Sequence, residues 1–198
     1  AAVAYAPAHG LTDGQVVSSN GEFSVVDEGQ LTPLSVPKNR AAEVHALLGL
    51  RDQARALIAA ESASVDDTAD IDQARQALAA AWTAYVDRHG PINRFTEARS
   101  SRTDPDTGEP AVSRRTHTAA RLLKTDPWFP LVQALEVFDD TTQTATPAGI
   151  LRERQIVPRK PVQGVETARD GLAVVLDTHG HVDLDEIGRL LGADRHST

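Results

Sequence analysis

The residues best suited to chemistry lie near the C-terminus, where His179-Gly180-His181 is followed by Asp183 and Asp185. Imidazoles and carboxylates are metal-ligand types. The two histidines flank a turn, however, the aspartates stand where a helix would be capped, and no third histidine is placed nearby, so the spacing favours capping over a metal centre. Asp104-Pro105-Asp106-Thr107-Gly108 opens like a calcium loop, but its twelfth position, which must supply a bidentate carboxylate, is Arg115. Neither GxxxxGK[ST] nor GxGxxG occurs, so there is no recognisable phosphate cradle for ATP or a dinucleotide. No serine sits in a nucleophile-elbow context, and the pair Asp139-Asp140 follows a helix end where paired carboxylates are ordinarily solvated. No catalytic residue, metal site or cofactor is nominated.

Charge is the remaining chemistry. The net charge of −8 argues against a protein coated in phosphate-binding groups, but its distribution is uneven. Residues 1–36 carry Asp13, Glu22, Asp27 and Glu28 and no lysine or arginine. Residues 94–126 carry seven basic groups against five acidic, and residues 151–169 carry Arg152, Arg154, Arg159, Lys160 and Arg169 against two. Basic groups are thus gathered in two mid-chain loops. Solvated loops and a nucleic-acid surface both fit that pattern.

The elements that must position these groups follow from periodicity. Ile71, Ala74, Leu78, Ala81, Trp82 and Tyr85 line one side of a helix that starts at Asp66, leaves Asp72, Arg75, Gln76 and Asp87 outside, and stops at Gly90-Pro91. It is expected to be the longest helix. Lys38–Ala60 predicts a second, with Asn39 as N-cap, an apolar side of Val44, Leu47, Leu48, Ala54, Leu57 and Ile58, and Arg40, Glu43, Arg51, Asp52 and Arg55 facing outward. A short polar break between them makes an antiparallel helical hairpin over 38–93. Before it, residues 1–14 read as a loose lead-in. QVVSS and EFSVVD around Asn20-Gly21 then predict a small β-hairpin or meander within residues 1–37.

Residues 94–164 read as an irregular basic loop plus short helices, one starting at Asp126-Pro127 and carrying Leu131, Val132, Leu135 and Phe138. Residues 165–198 hold two capped helices. Thr167 caps the first; Asp183 caps the second, with Glu186 as capping-box partner, Val182 and Ile187 as staple, and Gly192 as stop. Two short helices across a glycine turn open a helix-turn-helix or winged-helix unit, but only ADRHST remains where the reading helix would follow. The fold class expected is therefore mainly α.

Cysteine is absent, which excludes disulfides and thiolate metal sites. No apolar run approaches the ~20 residues that span a bilayer, so a soluble, cytoplasmic protein with no membrane partner is expected. The lack of an initiator methionine reads as an internal piece of something larger.

LGLRDQARALIAAE (48–61), AWTAYVDRHGPIN (81–93), DPWFPLVQALEVFDDTTQTATPAGIL (126–151) and VETARDGLAVVLDTHGHVDLDEIGRLLG (165–192) agree in order and spacing with a region of very large phage-, plasmid- and mobile-element-borne proteins. In the proteins this chain resembles, an adenine-type DNA methyltransferase region is joined to a superfamily 2 DNA helicase, and antirestriction proteins packaged in phage heads are among the relatives. The resemblance implies a non-catalytic connector and DNA-positioning module, with duplex DNA and neighbouring helicase or methyltransferase domains as partners, and a virion association in some settings. The methyltransferase's Asn-Pro-Pro-aromatic motif and the helicase motor motifs do not occur here. Backbone contacts to DNA are expected of Arg114, Arg115, Arg121, Lys124, Arg152, Arg154, Arg159 and Lys160, against the plain alternative of helix capping and inter-helix salt bridges. The competing function is a protein-interaction scaffold docking through Leu184, Ile187 and Leu190.

Overall fold

The computed structural model describes residues 6–8, 10–103, 108, 110–158 and 164–192. It divides into two compact units, Ala1–Val157 and Pro158–Thr198.

The first unit corrects the expected class: it is mixed α/β, with three small antiparallel sheets among the described residues rather than a helical bundle with one hairpin. Strands β1 (Ala6–Pro7), β2 (Val16–Ser19), β3 (Glu22–Asp27) and β4 (Gln30–Pro33) form a sheet of order β1-β4-β3-β2. Its two tight turns are two-residue loops whose members all take positive φ, Asn20-Gly21 (52° and 82°) and Glu28-Gly29 (49° and 74°). That matches the twist of antiparallel neighbours. Part of the supposed lead-in is ordered: β1 pairs with β4, and the backbone at Gly14 runs so close to Thr125 O that a Cβ there would lie 2.3 Å from it.

Helix α1 (Lys38–Ala63) is followed by α2 (Ala69–His89), so the first is the longer, and it begins behind Pro37 rather than with an Asn39 cap. Helix α2 starts three residues later than expected, with Thr68 as its cap accepting from Ile71 N at 3.3 Å. The helices run antiparallel, since Glu61 meets Arg75 where they join and Glu43 meets Tyr85 at the far end. Their apolar sides bury Val44, Leu47, Leu50, Ala54, Leu57, Leu78 and Trp82, and β2 and β3 add Val16 and Phe23 to the same core. Closely packed small and branched residues substitute for the missing aromatics.

The region expected to be irregular is largely built. Strands β5 (Phe95–Thr103) and β6 (Pro110–Thr116) pair as a ribbon, α3 (Thr118–Leu122) and α4 (Phe129–Gln133) follow, and β7 (Glu136–Asp139) pairs with β8 (Thr144–Pro147). The helix expected to reach Phe138 stops at Gln133. Asp126 does not cap it in the expected way either: its Oδ1 accepts from Trp128 N at 2.9 Å, and the helix begins one residue later. Val137 and Phe138 favour a strand once the Asp139–Gln143 turn folds the chain back, with Gln143 at φ 55°.

The second unit packs α5 (Ala168–His179) on α6 (Leu184–Leu190) around Val175, Ile187 and Leu190. Thr167 and Asp183 are the N-caps, and Gly180 takes the left-handed conformation between the helices. Glu186 does not complete a capping box, because its carboxylate pairs with Arg189 instead. Val182 is exposed, so no staple forms. A side chain at Gly171 would press on Ile187 Cγ2 at 3.1 Å, which is why the helices approach there. No helix among the described residues is long and apolar enough to cross a membrane.

Candidate nucleic-acid interface

The site is built from the base of the β5–β6 ribbon, the turn into α3 and the first turn of α1. In the ribbon, Thr96 lies opposite Arg115 and Glu97 opposite Arg114. Neighbouring residues of a strand point to opposite faces. Arg114 therefore turns toward the β7–β8 hairpin, where it stands over the Phe95 ring at 4.3 Å and pairs with Asp140. Arg115 turns the other way, into a cleft of about 650 Å³ lined also by Arg40, Arg94, Phe95, Thr96, His117, Thr118 and Arg121.

Behind that cleft is a carboxylate that its charge alone sends to the solvent. Glu43 is only 2 % exposed. It pairs with Arg94 and with Arg40 at 3.2 Å, accepts from Tyr85 Oη at 3.4 Å, and lies 3.0 Å from Nδ1 of His117. Burial would raise its pKa, but the hydrogen bond and charge of Arg94, with help from His117 and Arg40, outweigh burial and hold it below the usual carboxylate range. His117 is pushed the other way for a base. Burial and then the Arg94 charge lower its pKa, and Nε2 donates to Ile92 O at 2.9 Å. Burial also pushes the Tyr85 hydroxyl up to about 12. Arg94 is fixed further by donating to Pro91 O at 2.6 Å.

Among the described residues, Arg115 and Arg121 have no carboxylate partner; Arg121 bonds only the Thr118 hydroxyl, at 3.4 Å. Of the cations expected to meet DNA, the fold thus brings Arg115 and Arg121 together. Lys124 lies one turn on, in a neighbouring cleft that also has Asp13 and Asp27 in its wall. Arg152 is exposed and donates to Pro147 O at 2.7 Å. Arg154 is placed otherwise: it donates to Glu61 O, Ser64 O, Asp66 O and Ile156 O and to the Asp67 carboxylate, which closes the C-terminal end of α1. Arg159 and Lys160 lie outside the described residues, as does most of the Asp104–Gly108 stretch.

In the second unit, Leu184 is 76 % exposed, whereas Ile187 and Leu190 are buried in the unit's own core. The three do not share an outward face. Leu172 and Leu176 are exposed apolar residues that periodicity does not single out, and Val182, expected in a staple, is exposed with them. Residues 164–192 carry six carboxylates against Arg169 and Arg189. His181 Nδ1 meets His179 O at 2.9 Å, and no cluster of three metal-ligating side chains forms among the described residues.

Comparison with known families bears on this unit. A family model described as a winged helix domain of a probable helicase matches residues 164–198. The C-terminal segment is thus similar to a helicase-associated domain, of a kind that commonly binds DNA. No curated protein and no solved structure matches the chain.

Proposed function

We propose that this chain is a non-catalytic connector and DNA-positioning module of a larger ATP-dependent helicase protein. The observation that carries this reading is the match of its C-terminal segment to a helicase winged helix domain. The wider resemblance of residues 48–61, 81–93, 126–151 and 165–192 to proteins that also hold an adenine methyltransferase, some of them phage antirestriction proteins, adds that region as a neighbour. Duplex DNA is held in this reading by phosphate contacts from Arg114, Arg115, Arg121, Lys124 and Arg152, with Arg159 and Lys160 beyond the described residues and Arg154 serving the fold. Support comes from the uncompensated guanidinium groups of Arg115 and Arg121 in a chain of net charge −8. Phosphate contacts release counterions, so affinity for duplex DNA falls steeply as salt rises. Fluorescence anisotropy with a labelled duplex should show binding by the whole chain at low salt that weakens with added salt. No binding even at low salt would sink the reading.

One observation favours a second reading for the second unit. Its helical segment, residues 164–192, carries a surplus of carboxylates that disfavours a phosphate backbone there, and Leu172, Leu176, Val182 and Leu184 are exposed on it, which suits docking of a neighbouring protein domain. Hydrogen exchange across α5 and α6 would slow on adding that domain, not on adding DNA.

A further inference from the structure

A backbone-positioning surface needs no recess, yet Arg40, Arg94, Arg115 and Arg121 converge on one. We propose that this cleft is a binding site for a terminal phosphate group, the monoester end of a nucleic-acid strand or of a mononucleotide. Phosphates along a duplex each carry one charge and are met by side chains spread along a ridge. A monoester carries close to two charges and three terminal oxygens on one small group, which calls for several guanidinium forks at one point.

The cleft meets that demand. Arg40 and Arg94 share the single carboxylate of Glu43 behind them, and Arg115 and Arg121 have no carboxylate partner among the described residues, so the four guanidinium groups and Glu43 together carry a net positive charge. No carboxylate is among the described residues that line the cleft itself. Glu43 is better regarded as the anchor that holds two of the guanidinium groups in place than as a competitor for the ligand, because it is buried and already fully bonded. Thr96, Thr116 and Thr118 stand in the wall beside them, the Thr96 hydroxyl donating to Arg115 O at 3.4 Å. Pro91 and Phe95 supply an apolar side, and about 650 Å³ is ample for a nucleotide. The inference goes beyond the proposed function, since it specifies an end group and would hold for a nucleotide even if duplex DNA were never bound.

The test compares two duplexes of one sequence, with a 5′-phosphate or a 5′-hydroxyl end, and adds a nucleoside 5′-monophosphate and inorganic phosphate as competitors. A preference of about tenfold or more for the phosphorylated end, worth ~1.4 kcal/mol, is expected. It should vanish in the Arg115→Ala, Arg121→Ala double variant, whose side chains are exposed and whose fold is therefore kept. Binding of the monophosphate without any binding of duplex, lost in the same variant, would support the site with a nucleotide as the source and would leave the DNA-positioning reading without support. Equal binding of both duplexes with no competition by either small anion would overturn the site while leaving duplex binding intact.

Discussion

Two buried glutamates stand near opposite ends of α1, and each gathers arginines, but with opposite results. At Glu61 every cation is used inside the fold. Arg75 bonds Glu61 at 3.0 Å, Asp67 at 3.2 Å and Asp72 at 2.9 Å, Gln155 N and Ile156 N reach the same Glu61 carboxylate at 3.0 Å, and Arg154 closes the end of α1 from outside. At Glu43 the carboxylate satisfies Arg40 and Arg94, and two further arginines are left facing a cleft. The same chemistry makes a lock at one end and a surplus of positive charge at the other. What differs is the number of acceptors supplied by the chain. The loop after α1 offers Ser64 O, Asp66 O and Asp67, whereas the ribbon base offers hydroxyls and an imidazole.

The largest expected effect is at the lock. Glu61→Ala leaves Arg75 buried without its main partner and strips Gln155 N and Ile156 N of their acceptor. Breaking a buried pair by removing one member costs about 3–5 kcal/mol. Urea unfolding should report a loss of that order, and limited proteolysis should cut first between residues 152 and 157. A loss below about 1 kcal/mol would mean that the Glu61 network is a bystander and that the two ends do not differ as described.

The lock and the cleft are only half legible in the sequence. Asn20-Gly21 announces its turn because both residues must accept positive φ, and the four-residue steps from Ile71 to Tyr85 announce α2. Charge alone sends Arg75, Arg51 and Glu43 to the solvent, although Glu43, Leu47, Arg51, Ala54, Leu57 and Glu61 recur at three- and four-residue steps on one stripe of α1. The spacing carries the signal; residue type hides it, because a buried charge makes sense only beside partners far away in the chain, such as Asp126 for Arg51. The ribbon is hidden for another reason. Its strands show no apolar alternation in sequence, and its base is held by the edge-on contact of Phe95 with Phe138, at 6.1 Å, and by Phe95 N donating to Gln143 Oε1 at 3.2 Å. The convergence of Arg40, Arg94, Arg115 and Arg121 is a product of that fold and could not be read from loops counted by charge.

Acid should weaken both ends, with a sign fixed by the direction of the shifts. Glu43 and Glu61 are held below their ordinary 4.5, Glu61 by the Gln155 and Ile156 amides and Arg75, which together outweigh the burial that would raise it. The unfolded chain therefore takes up protons first as pH falls, and stability is lost from about 4.5 downward. His117, depressed from 6.5, adds an earlier loss at the Glu43 end alone, because the unfolded imidazole protonates from 6.5 down while the folded one resists. Alkali acts there too. Between 10.0 and about 12 the folded Tyr85 keeps a proton that the unfolded chain releases, so stability falls as pH rises through that window. Tyr85→Phe should abolish this alkaline loss and, at neutral pH, cost about 0.5–1.5 kcal/mol for the hydroxyl's hydrogen bonds. Urea unfolding followed across pH would check both. An alkaline loss unchanged in that variant would remove Tyr85 from the account.

The smallest effect on stability should accompany the clearest effect on binding. Arg115→Ala with Arg121→Ala removes two exposed side chains that hold nothing together except one long bond to Thr118, so unfolding free energy should stay within ~0.5 kcal/mol of the parent. Duplex affinity should fall, and the slope of log affinity against log salt should become shallower by about 0.9 for each phosphate no longer neutralised. Arg75→Ala is the matched control at the other end. It should cost stability and, where the chain is still folded, leave the salt slope alone. If both the double variant and Arg75→Ala moved stability and slope together, the surplus charge at the Glu43 end would be one more internal brace, and the division between lock and cleft would collapse into a single structural network.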